Sequence, residues 1–111
     1  MIKRSEMQKI ASEYTDPKIG VLGSHSALEI MDGAKDEDFE TVVYCQKGRE
    51  VPYQRFNRIA DEIKIVKKFK DMASPANQKL MRENNTIIVP HRSLTAYLGY
   101  DILENKLKVP I

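Results

Sequence analysis

Short apolar runs alternate along the chain with stretches in which apolar residues recur every three or four positions. The apolar runs cover residues 19–22, 41–45, 62–66 and 86–89, and the third is the weakest because charged residues interrupt it. Runs of this length with little polar alternation are typical of strands buried on both faces of a sheet. The pattern therefore predicts four β-strands, each followed by a connecting segment.

The connecting segments predict helices. Apolar residues lie at helical spacing within residues 7–14, 27–34, 53–60 and 94–102, and Leu80 and Met81 are expected to face inward from a further helix. Ser26, with Glu29 three residues later, has the spacing of a capping box and predicts a helix start. Ser74 followed by Pro75 predicts another. Residues 67–71 carry mixed charge and predict a loop, and residues 109–111 predict the beginning of a further extended segment.

Alternation of buried strands and helices predicts the fold class. Two strands that are connected by a helix pair in parallel. Right-handed crossovers of this kind place helices on both faces of the sheet. We therefore expect a doubly wound, Rossmann-like α/β fold over residues 19–111, preceded by a helix and linker over residues 1–18. In the strand order 3-2-1-4-5, the first and fourth strands are neighbours and the winding direction reverses between them.

Composition limits the function classes. With 111 residues, of which 41% are hydrophobic, the chain has room for one domain. Its 18 basic and 16 acidic residues form no long basic block, which argues against nucleic-acid and membrane partners. The single cysteine, Cys45, excludes an intrachain disulfide and is expected to be a buried strand thiol. We expect a cytoplasmic protein that binds a small molecule.

Two polar loops follow the first and fourth predicted strands, at residues 23–26 and 90–93. If these strands are neighbours, the loops meet at the carboxyl edge of the sheet, where open α/β sheets bind ligands. Ser24, Ser26 and Arg92 are candidate phosphate ligands, because a helix N-terminus offers unpaired amides and a guanidinium can bind two phosphate oxygens. The turn at residues 47–49 could add positive charge to the rim.

Other interpretations stay open or lose support. The serines could serve only as helix caps and the histidines only as packing groups, and His25 and His91 could instead hold a metal ion in a small hydrolase. The first loop lacks the Gly-x-Gly-x-x-Gly motif and Gln46 ends the second strand without an acidic residue, so a dinucleotide site is disfavoured. Val66 is not followed by the aspartate that a phosphoreceiver domain requires.

Several motifs together resemble the archaeal formate-dependent 5-formaminoimidazole-4-carboxamide ribonucleotide (FAICAR) synthetases. The motifs are LGSHSAL at 22–28, GAKDE at 33–37, FET at 39–41, KGR at 47–49, PY at 52–53, RF at 55–56, VPH at 89–91, Ser93, EN at 104–105 and VP at 109–110. The resemblance covers residues 19–111.

The resemblance implies an ATP-grasp ligase that uses ATP and Mg²⁺ to activate formate for attack by aminoimidazole carboxamide ribonucleotide (AICAR). His25 and Ser93 match the family positions that contact AICAR, and no catalytic or metal-binding residue of the family matches this chain. We therefore expect an N-terminal pre-ATP-grasp domain that is truncated at its C-terminus and inactive without the ATP-grasp domain. The alternative is a stand-alone nucleotide-binding or oligomerisation module, and the first helix could favour self-association.

Overall fold

Four parallel strands form a single sheet in the order β3-β2-β1-β4. A computed structural model describes residues 1–24 and 26–111. The strands are β1 (Lys18–Leu22), β2 (Thr41–Gln46), β3 (Glu62–Val66) and β4 (Thr86–Ile88). This arrangement confirms the predicted parallel sheet, with the first and fourth strands side by side.

Helices cover both faces of the sheet. They are α1 (Arg4–Ser12), α2 (Ala27–Asp36), α3 (Val51–Arg55), α4 (Pro75–Glu83) and α5 (Arg92–Leu98), with a 3-10 helix at Phe69–Ala73 and a π-helical turn at Ile102–Lys106. Residues of α2 and α3 belong to one core cluster, whereas residues of α4, α5 and the 3-10 helix belong to the other. The fold is therefore doubly wound, as the sequence predicts.

The strands contribute alternate side chains to the two cores. Val21, Val43 and Cys45 face the core beneath α2 and α3, while Leu22 and Tyr44 face the core beneath α4 and α5. All of these side chains are almost completely buried. Burial on both faces explains why these strands read as continuous apolar runs.

The final residues of the chain lie along the outer edge of β4. The Ile88 N–H donates to the Pro110 carbonyl at 2.9 Å, and Leu107 and Val109 are buried. This segment occupies the place of the fifth strand in the predicted order. Next to it lies α1, where Glu6 pairs with Lys108 at 3.0 Å. No residue of α1 is fully buried.

Three local predictions are wrong. Residues 67–71 are not simply a loop, because the 3-10 helix begins at Phe69, whose buried ring anchors it. The third helix begins at Val51 and ends at Arg55, earlier than the predicted 53–60, since Pro52 suits a first helical turn. Leu80 does not face inward, being 44% exposed, whereas Met81 is buried. None of the described helices is long and apolar enough to cross a membrane.

Candidate functional site

The two predicted loops are joined directly at the carboxyl edge of the sheet. β1 and β4 are paired neighbours, so the chain leaves Leu22 and Ile88 at the same edge. The Nε2 of His91 lies 2.9 Å from the Leu22 carbonyl oxygen, and it must donate because a carbonyl only accepts. This hydrogen bond connects the loop after β4 to the end of β1.

The second ring nitrogen of His91 is also engaged. Its Nδ1 accepts the Ser93 N–H at 3.3 Å, which caps the beginning of α5. With one nitrogen donating and the other accepting, His91 has no lone pair left for a metal ion. Within residues 1–24 and 26–111, no three His, Cys, Asp or Glu side chains form a potential metal site. His91 thus positions the loop, and the metal-hydrolase interpretation loses support.

A cleft of about 550 Å³ opens above this junction. It is lined by Gly23, Ser24, Leu28, Arg49, Pro52, Tyr53, Ser93 and Tyr97. The first loop, the turn after β2, α3 and α5 all contribute to it. The structure therefore brings the predicted residues Ser24 and Ser93 into one cleft.

The remaining predicted residues are placed differently. Ser26 is the N-cap of α2, as predicted, but its side chain makes no capping hydrogen bond with any described residue. Arg92 begins α5 and is exposed, and it is not among the residues that line the cleft. His25, the other predicted substrate contact, lies outside the described residues.

Gly23 forms a tightly enclosed part of the cleft wall. A Cβ at this position would lie 3.0 Å from the Cys45 Cβ, 3.1 Å from the Tyr44 carbonyl oxygen and 3.1 Å from the Tyr53 hydroxyl. The first two neighbours belong to β2 and cannot easily move. Glycine here lets the loop pack closely against β2 and the Tyr53 hydroxyl.

Two buried polar atoms near the cleft lack partners. Ser24 Oγ and Glu50 Oε2 are buried without a hydrogen bond to any residue that the structure describes. Leaving such a group unsatisfied costs about 1–3 kcal/mol, which a ligand could offset by hydrogen bonding. Depressions of about 490 and 580 Å³ occur elsewhere on the surface, so volume alone does not distinguish this cleft. The unsatisfied polar atoms distinguish this cleft from the other depressions.

The titratable groups beneath the cleft are held in their neutral forms. Burial raises the pKa of the Cys45 thiol, and the nearby Glu50 carboxylate raises it further. Burial likewise raises the pKa of Tyr53, with the neighbouring Cys45 adding to the shift. Cys45 is a buried thiol and not an activated nucleophile. Tyr53 remains a phenol that can donate a hydrogen bond.

Sequence reasoning missed part of the lining. The apolar spacing within residues 94–102 puts Tyr97 on one helical face with Leu94 and Leu98, but Tyr97 is 42% exposed and its ring centroid lies 4.5 Å from that of Phe69. Its spacing of four residues from Ser93 is the signal that could have placed both on one side of α5. The sequence did not indicate that Glu50 lies near the cleft, because Glu50 does not directly follow β2.

A known protein family matches most of the chain. The family described as "Protein of unknown function (DUF1246)" matches residues 19–111. The chain belongs to this DUF1246 family. The match covers the sheet apart from Lys18, both loops and every residue that lines the cleft.

Curated relatives of this DUF1246 chain include proteins named 5-formaminoimidazole-4-carboxamide-1-(beta)-D-ribofuranosyl 5'-monophosphate synthetase. The relative from Methanopyrus kandleri is 47% identical over 113 residues, covering 100% of this chain and 31% of the relative. The relative from Methanothermobacter thermautotrophicus is 48% identical over 112 residues, covering 99% of this chain and 31% of the relative. The chain thus spans about a third of the length of these relatives.

A solved structure shares the fold. The crystal structure of an IMP biosynthesis protein PurP from Thermococcus kodakaraensis superimposes with a TM-score of 0.64 and 31% sequence identity, covering 82% of this chain and 27% of that one. These comparisons confirm the resemblance identified from the sequence motifs and the α/β fold.

Proposed function

We propose that this chain is the AICAR-binding domain of a ligase that formylates AICAR with formate, in an ATP-dependent step of purine biosynthesis. The observation that carries this proposal is the cleft at the carboxyl edge of the sheet, which contains both Ser24 and Ser93. The synthetase names of the relatives support the same substrate. A phosphorylated nucleotide fits a cleft with a helix N-terminus and a guanidinium at its rim.

The proposal gives each polar residue a role in binding. Ser93 and His25 contact the nucleotide, as the family resemblance implies for both positions. Ser24 offers an unsatisfied hydroxyl, and Ser26 presents the N-terminus of α2 to the phosphate. Arg49 lines the cleft and supplies positive charge there, while Arg92 is a candidate phosphate ligand from outside it.

ATP and Mg²⁺ are assigned to the rest of such a ligase. Among the described residues no group of three His, Cys, Asp or Glu side chains is placed to hold a metal ion, and the proposal assigns no residue of this chain to Mg²⁺. In this proposal the chain binds and orients AICAR, and an ATP-grasp domain performs the activation of formate. We place the reaction in the cytoplasm, where soluble nucleotides are formed and consumed.

The proposal is tested by titrating AICAR into the 111-residue chain while binding is followed by calorimetry and amide NMR. We expect the largest amide shifts at Gly23, Ser24 and Ser93. Ser93→Ala should weaken binding by about 3- to 10-fold, the value of one hydrogen bond. His25→Ala should weaken it as well.

The matched control is Ser5→Ala, which removes an exposed hydroxyl from α1. Its affinity for AICAR should equal that of the unsubstituted chain. Absence of AICAR binding, or equal affinities of the Ser93→Ala and Ser5→Ala variants, would contradict the proposed site.

A further inference from the structure

Glu50 carries a carboxylate oxygen that the fold leaves without a partner. Its Oε2 is buried and makes no hydrogen bond within the described part of the chain. Glu50 also takes part in none of the ion pairs formed by the described residues. Glu50 as a whole is only partly buried, but an oxygen that is removed from water without a hydrogen-bond partner still costs free energy. The carboxylate therefore has capacity for a donor from outside the chain.

Chain neighbours of Glu50 line the cleft, although Glu50 itself is not among the lining residues. Glu50 is the N-cap of α3 and lies between Arg49 and Pro52, which both line the cleft. Its carboxylate is close enough to Cys45 to act on the thiol, and Cys45 packs against the enclosed side of Gly23. The unpaired oxygen thus belongs to the same corner of the molecule as Ser24 Oγ.

The turn after β2 brings Glu50 back to the end of that strand. The Arg49 N–H donates to the Gln46 carbonyl at 2.9 Å, and Gly48 adopts a φ of 92°, which favours glycine. The chain therefore reverses directly after β2. An acidic residue that lies four positions beyond the strand in sequence returns to the strand end in space.

This position has a known use in doubly wound folds. Where a nucleotide phosphate binds at the loop after the first strand, an acidic residue near the end of the next strand can bond to the ribose 2′-hydroxyl. The sequence suggested that this chain lacks such an acid, because Gln46 and Lys47 follow the apolar run. The tertiary structure provides Glu50 there instead.

We infer that Glu50 accepts a hydrogen bond from the ribose 2′-hydroxyl of a nucleotide bound in the cleft, and so selects ribonucleotides over 2′-deoxyribonucleotides. The inference rests on the proposed function, because it assumes that a nucleotide occupies the cleft. It assigns recognition of the sugar to the turn after β2. The loop after β1 binds the phosphate in this proposal.

The test compares the affinities of the 111-residue chain for AICAR and for its 2′-deoxyribose analogue. We expect the unsubstituted chain to prefer the ribonucleotide about 10-fold or more, as for a hydrogen bond to a charged group. Glu50→Ala should reduce that preference to about 1, and Glu50→Gln should give an intermediate value because an amide oxygen is a weaker acceptor. Glu13→Gln, in which an exposed acid outside the cleft is changed, should keep the full preference.

The ratio of the two affinities separates recognition from a structural role. If Glu50 only supported the fold, its substitution would weaken both nucleotides equally and leave the ratio unchanged, which overturns the inference. A ratio near 1 in the unsubstituted chain also overturns it, even if Glu50→Ala does not fold. These outcomes leave the AICAR-binding proposal standing, whereas failure of both nucleotides to bind the unsubstituted chain overturns both.

Discussion

His91 shows how a side chain that does not line the cleft can still organise the loops around it. Its imidazole donates to the Leu22 carbonyl from one nitrogen and accepts the Ser93 N–H at the other. Ser93 and the first loop are thereby held at a fixed separation across the β1–β4 junction. The residue that the sequence offered as a candidate ligand is a positioning residue.

We predict that His91→Ala lowers the free energy of unfolding by about 1–3 kcal/mol, because it leaves the Ser93 N–H without its acceptor and removes one of the two donors to the Leu22 carbonyl, the other being the Ser24 N–H. Urea denaturation of the two proteins would measure the difference. Arg92→Ala is the matched control, since Arg92 is the exposed neighbour in the same turn. Equal stability of the His91→Ala and Arg92→Ala variants would contradict the role assigned to His91.

Two serines that look alike in sequence behave differently as helix caps. The Ser74 hydroxyl accepts the Asn77 N–H at 3.2 Å and so caps α4. Ser26 occupies the same position at α2 but makes no such bond in the described structure. Its hydroxyl therefore does not cap α2, and its candidate role at a phosphate stays a prediction.

We predict that Ser74→Ala costs about 1 kcal/mol of stability, the usual value of an N-cap hydrogen bond, and that Ser26→Ala costs a few tenths at most. Thermal and urea unfolding of both variants would provide the comparison. A loss for Ser26→Ala as large as that for Ser74→Ala would show that Ser26 acts as a structural cap.

At the scale of the whole molecule, Asp61 connects elements at the edge of the sheet opposite the cleft. Its Oδ2 accepts from the Lys35 Nζ at 2.8 Å and from the Thr41 N–H at 2.9 Å, linking α2, β2 and the residues before β3. Burial alone would raise the pKa of Asp61, but the hydrogen bonds from Lys35 and Thr41 outweigh it and hold the pKa below its usual range.

A carboxylate with a lowered folded-state pKa stabilises the fold above its unfolded-state pKa, and that stability is lost as the pH falls through the folded-state value. We therefore predict that Asp61→Asn lowers the melting temperature at pH 7 and that the difference from the unsubstituted chain shrinks below about pH 4. Melting curves between pH 2 and pH 7 would measure this.

Asp32→Asn, on the exposed surface of α2, is the control and should change the melting temperature less at every pH. A difference between the Asp61→Asn variant and the unsubstituted chain that stays constant with pH would indicate that the Asp61 charge does not contribute.

Hydrophobic patterning determined the layout of the chain. Buried strands leave continuous apolar runs, so the position of β3 was predicted at Glu62–Val66 as observed, although two charged residues interrupt it. Alternation with helices then implied parallel pairing, and the reversal between β1 and β4 implied where a ligand would bind. The family resemblance came from the sequence too, because its motifs are local.

Tertiary structure decided which polar residues belong to the cleft. Ser24 and Ser93 face a common space, whereas Arg92, one residue away from Ser93, does not line it. Helical spacing groups Ser93 with Tyr97, but it does not tell which side of α5 faces the cleft, because that depends on contacts made by distant residues. His91 acquired its role from Leu22, a residue 69 positions away. Glu50 acquired its candidate role from a turn that returns it to the end of β2, because burial and hydrogen-bond satisfaction are properties of the folded chain and not of the order of its residues.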